Sequence, residues 1–116
     1  MSHRLIPILA ISVLMAACSH SPQEKYDKAQ ETPAQSASLY SEACDAQHAP
    51  SCYELGVMRL EGDRVGLSYE KGVELLETAC RLEHAEGCGV LGALYLTGRA
   101  VERDMAGGVD LLGRAC

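Results

Sequence analysis

The sequence predicts an all-α protein, a short α/α solenoid in which helix pairs stack one on the next. Three observations lead there. The chain repeats itself at a period of 36 residues: Cys44, Cys80 and Cys116 are equally spaced, and Cys52 and Cys88 follow at the same interval. A period between about 20 and 50 residues marks stacked supersecondary units, and 36 suits one helix pair. The aromatic residues are five tyrosines, with no Trp or Phe. A core built from Leu, Val, Ala and Met favours small helical units over a β-sandwich. At 116 residues the chain holds one small domain.

Residues 44–79 laid over 80–115 without a gap give fourteen identities, among them His48/His84, Leu55/Leu91, Gly56/Gly92, Gly62/Gly98, Val65/Val101 and Gly72/Gly108. Within each copy a first helix spans 51–62, repeated over 87–98, and stops at Gly62 or Gly98, as helices often do at glycine. A short link follows, carrying one apolar plug, Val65 or Val101. Ser68 and Asp104 stand where an N-cap is wanted. The second helices cover 68–80 and 104–116, where Val73, Leu75, Leu76 and Ala79 return at near-helical spacing. Upstream, residues 38–44 match only the last half of such a helix. Gly56 and Gly92 lie mid-helix, where glycine costs about 1 kcal/mol against Ala. A cost repeated at one register position predicts close helix approach there, with Leu55 and Leu91 packing beside it. Gly72 and Gly108 read the same way.

The N-terminal segment is different in kind. Arg4 precedes a 13-residue apolar run from Leu5 to Ala17, too short to span a bilayer and suited to the apolar region of a signal peptide. Ala16, Ala17 and Cys18 resemble a bacterial lipobox, with Met15 where Leu is usual. That resemblance implies a signal peptide over 1–17, lipidation of Cys18, and a bacterial cell-envelope protein held at the outer membrane, since Ser19 is not the Asp that retains lipoproteins at the inner membrane. Residues 18–36 are polar and rich in Ser, Gln and Pro, and are expected to form a flexible tether ahead of a folded domain over 37–116.

The net charge of −6 and the lack of any Lys/Arg run argue against a nucleic-acid partner. Six cysteines fit an oxidising compartment. The motif C-x3-H-x3-C, at 44–52 and 80–88, is open to three readings: a metal site, a redox pair or a disulfide loop.

The combination A-C-x7-C-x2-L-G-x5-G-x2-V, present twice, closely resembles the Sel1-like repeat, a relative of the tetratricopeptide repeat. It is most similar to the disulfide-rich type of the Helicobacter cysteine-rich proteins. Arg59 departs from the usual Tyr, and Gly72 and Gly108 from the usual Ala. The resemblance implies disulfides Cys44–Cys52 and Cys80–Cys88, each joining the end of one repeat to the start of the next. A metal would need four ligands where each loop offers at most three, and a redox pair normally uses C-x-x-C. No metal or other cofactor is therefore expected. His48 and His84 read as loop residues beside a helix C-terminus. Cys116 is left over, unpaired or bridging two molecules as a disulfide-linked dimer.

The resemblance also implies a non-catalytic scaffold whose concave helix face holds a protein or peptide. The alternative is a β-lactamase-like or penicillin-binding hydrolase, as described for some cysteine-rich relatives. Its one sequence support is S-x-x-K at Ser68–Lys71. S-D-N and K-T-G are missing, and the second copy replaces Ser by Asp104. Glu74 and Glu77 read as ordinary solvated charge.

Overall fold

The computed structural model describes residues 21–99 and 101–115. Among these residues six α-helices follow one another: α1 (Pro22–Glu31), α2 (Ser36–Asp45), α3 (Ala49–Glu61), α4 (Tyr69–Arg81), α5 (Ala85–Thr97) and α6 (Met105–Ala115). Among the described residues there is no strand, and each helix packs on the helix before and after it in the chain.

The links are built alike in both repeats. Gly62 and Gly98 end α3 and α5 at φ 70°, a left-handed conformation that glycine adopts without a Cβ clash. The main chain then returns, with Ser68 N–H donating to Arg59 O and Asp104 N–H to Tyr95 O, both at 2.9 Å. Val65 plugs the core around Ala29, Tyr40, Leu55 and Met58, and Val101 the core around Val73, Leu76 and Leu91. The Ser68 hydroxyl caps α4 by accepting the Lys71 N–H at 3.2 Å, and Asp104 Oδ1 accepts the Gly107 N–H at 3.0 Å. These caps satisfy donors that a helix start leaves without partners.

Residues 21–36 do not form the flexible tether expected of them. Ser21 and Glu24 make a reciprocal capping box, with Pro22 in the first turn of α1. Tyr26 and Ala29 then form a narrow stripe at i, i+3. Ala29 is 1% exposed, and the Tyr26 ring meets that of Tyr40 at 5.6 Å. Lys25 pairs with Glu42 of α2 at 2.9 Å, and the Ser36 hydroxyl, buried, donates to Pro33 O at 2.9 Å. Two apolar side chains were enough because α2 and α3 supply the rest of the core. The helix over 38–44, which matches the last half of a second helix, has α1 as its partner, so the folded part begins before residue 37.

Candidate functional site

The seam between repeats is short. Asp45 ends α2, Gln47 adopts φ 67°, and His48 opens α3; Arg81, Glu83 (φ 67°) and His84 repeat this 36 residues on. His48 N–H donates to Ala43 O and His84 N–H to Ala79 O, closing the ends of α2 and α4. Disulfides span the seams: Cys44–Cys52, with Cα atoms 4.7 Å apart, and Cys80–Cys88, at 4.6 Å.

The two histidines lie between helices beside a C-terminus, as expected, but their side chains turn to the start of the helix that follows. His84 Nδ1 accepts the Gly87 N–H at 3.0 Å, a side-chain cap on α5. His48 occupies the same position on α3, where its Nδ1 meets the Ser51 hydroxyl at 2.7 Å and its Nε2 meets Gln23 Oε1 at 2.9 Å. The Gln23 amide nitrogen is committed to Asp27 Oδ1 at 2.9 Å, so Gln23 Oε1 must accept from His48 Nε2. A chain Asp27–Gln23–His48–Ser51 thus ties α1 to the start of α3. Burial lowers the His48 pKa; the Asp27 carboxylate opposes this, and His84 adds to it. On the same side, burial first and Glu86 second raise the Glu54 carboxyl above the ordinary range, with His84 opposing. The Tyr53 ring lies tilted against the His84 ring, with centroids 4.9 Å apart.

The mid-helix glycines meet one another. A Cβ at Gly56 would lie 3.2 Å from Gly72 O, and one at Gly92 would lie 3.0 Å from Gly108 O. At Gly72 and Gly108 the obstruction is worse: Leu60 and Leu96 carbons stand 2.8 and 2.7 Å away. Each pair of helices therefore crosses backbone to backbone, with buried Leu55 and Leu91 one residue before Gly56 and Gly92.

Two open grooves are related by the repeat. The first, of about 470 Å³, lies among α2, α3 and α4, with Leu55 and Leu75 in its lining. The second, of about 360 Å³, lies among α4, α5 and α6, with Leu91 and Leu111 at the equivalent places. Other equivalences change character: Ser41 becomes Glu77, Asp45 becomes Arg81, Arg59 becomes Tyr95, and Thr78 becomes Arg114. Arg81 lines both grooves, at the C-terminal end of α4, where a cation is favoured. Together they hold Arg59, Lys71, Arg81 and Arg114 against Asp45, Glu74 and Glu77, a local excess of positive charge on a chain of net charge −6.

Sequence reasoning missed these residues. Glu74 and Glu77 are exposed, yet they stand on groove walls beside Lys71 and Arg81. The 36-residue register held the signal, since positions 45/81 and 78/114 gain a cation in the second copy. The S-x-x-K pair is divided between a helix cap, Ser68, and a groove wall, Lys71. Cys18 and Cys116 lie outside the described residues. Among the described residues no three His, Cys, Asp or Glu side chains gather as a metal site, and no helix is long and apolar enough to cross a membrane.

No family model and no curated protein matches the sequence. Solved structures do. The chain is similar to Helicobacter pylori cysteine-rich protein B, with 25% identity and a TM-score of 0.70 over 73% of this chain and 64% of that one. It is also similar to a Sel1 repeat protein from Oxalobacter formigenes, with 24% identity and a TM-score of 0.70 over 78% of this chain and 38% of that one. The chain thus spans less than two thirds of either. With six helices, two inter-repeat disulfides and these neighbours, the described residues form an α/α solenoid of the Sel1-like, disulfide-stapled type.

Proposed function

We propose that this chain is a protein- or peptide-binding scaffold of the cell envelope, anchored by lipid at Cys18 after removal of residues 1–17, and held at the outer membrane. The observation that carries the binding role is the pair of register-related grooves, each with an apolar floor and polar walls. Stacked repeats use such continuous surfaces to hold extended partners. The fold shared with other Sel1-like solenoids supports the same reading. Cys116, outside the two intrachain bridges, is assigned to a disulfide between two molecules.

Selection of a random peptide library displayed on phage against the oxidised chain tests the binding role. Enriched peptides that bind the oxidised chain, and lose binding when the bridges are reduced, support a scaffold. Absence of any enriched sequence overturns it. The anchor is checked separately: Cys18→Ala in the expressing bacterium should move the chain from the detergent phase to the aqueous phase. Non-reducing electrophoresis checks Cys116; a species that is monomeric throughout removes the intermolecular bridge.

A further inference from the structure

The two grooves meet at one residue. Arg81 lines both, so the two grooves adjoin at this residue. Among the described residues the ion pairs are Lys25–Glu42 and Arg64–Asp63, and neither Arg81 nor Lys71 takes part in one. Both are exposed on α4. The other two cations are already held by the fold: Arg59 donates to Gly66 O at 3.1 Å and Arg114 to Cys80 O at 3.3 Å. Of the four cations that line the grooves, two are therefore fixed in place and two are free to meet a ligand.

We infer that the two grooves form one track for an extended peptide segment carrying spaced carboxylates, with Arg81 as the anchor shared by both halves. This rests on the scaffold reading and names the chemistry of its partner. A guanidinium matches a carboxylate with two parallel hydrogen bonds, and Lys71 offers a second, point-like charge. Glu74 and Glu77 decide against a densely charged polyanion. They sit on the same helix as the two free cations and line the same walls, so closely packed negative charge would be repelled. A peptide whose acidic residues are separated by neutral ones avoids this, and its main-chain N–H groups can donate to the two glutamates. Leu55 and Leu91, in the floor of each groove, give the segment an apolar seat between charged contacts.

The test uses the full oxidised chain and three fluorescein-labelled peptides, Ac-(Glu-Ser-Gly)4-amide and its Gln and Lys counterparts, followed by fluorescence anisotropy. The acidic peptide should bind at least tenfold more tightly than the Gln peptide, the Lys peptide should not bind, and affinity should fall as salt rises. Arg81→Ala should weaken the acidic peptide at least tenfold, and Arg81→Lys should fall between. Arg99→Ala, exposed and lining neither groove, should leave binding unchanged. Circular dichroism checks that each variant is folded; if Arg81→Ala is not, Lys71→Gln carries the test, with a several-fold loss expected. Equal affinity for the Glu and Gln peptides overturns the inference. So does an Arg81→Ala chain that binds like wild type, or an Arg99→Ala chain as weakened as Arg81→Ala. Phage-selected peptides that bind regardless of Arg81 would remove the track and leave the scaffold standing; a library with no binders would remove both.

Discussion

The α3–α4 and α5–α6 pairs carry nearly the same apolar and glycine pattern, yet they are not equally buried. Val73 is 8% exposed and its counterpart Val109 is 62% exposed; Leu76 is fully buried and Leu112 is 36% exposed. The backbone crossing is the same in both, Gly56 on Gly72 and Gly92 on Gly108. What differs is the neighbour. Helix α4 lies between α3 and α5, whereas among the described residues α6 packs chiefly on α5 and meets α4 through the Arg114–Cys80 hydrogen bond. In a solenoid a residue's burial belongs to its interface, so identical repeats need not contribute equally to stability.

A matched pair of truncations should separate the two helix pairs most strongly. Leu76→Ala should cost about 3–5 kcal/mol in chemical denaturation, as for a fully enclosed leucine, and Leu112→Ala about 1–2 kcal/mol. Equal losses would mean that α6 is covered in solution by something the described residues do not include.

Next come the seams. Replacing Cys44 and Cys52 together by Ser opens a nine-residue loop and should lower stability by about 2.5 kcal/mol on the chain-entropy estimate. The same change at Cys80 and Cys88 should cost about as much, because the loops are equal in length. A large difference would show that the seams do more than restrict the unfolded chain.

The glycines give a smaller effect, of opposite sign in two places. Gly72→Ala drives a methyl against Leu60 and should destabilise by about 1–3 kcal/mol. Gly113→Ala meets nothing within 4 Å and should stabilise by up to about 1 kcal/mol, raising the thermal midpoint.

The smallest effect is in pH. His48 has its folded pKa below the ordinary value of 6.5, so the unfolded chain binds the proton first. Its stabilising contribution is complete above 6.5 and is lost as pH falls through the folded value. Denaturation midpoints should therefore decline from pH 7.5 toward 5.5, and His48→Gln should flatten that slope. Glu54, with its folded pKa raised above the ordinary value of 4.5, acts in the opposite direction as pH rises beyond 4.5. An unchanged slope in His48→Gln would assign the pH dependence elsewhere.

Legibility followed the strength of the local signal. The helices of the two repeats could be read because period, caps and stopping glycines agreed twice over. Helix α1 was passed over although Ser21-Pro22-Gln23-Glu24 is a capping-box sequence. Its apolar stripe is only Tyr26 and Ala29, too short to give a period, and its stability comes from Tyr40 and the His48 link. His48 and His84 do lie between helices, but their capping role is not legible, because whether a seam side chain serves the helix before or after depends on a backbone turn at Gln47 or Glu83. Spacing does not encode that turn.

The all-α class, the repeat length and the linking turns could be read from the chain alone, because hydrophobic period and glycine placement act locally. That Arg81 joins two grooves, that residues 22–31 complete the first helix pair, and that Val73 is covered while Val109 is not came from helix packing. Those outcomes depend on which helix lies beside which, and one helix's residues do not specify its neighbour's surface.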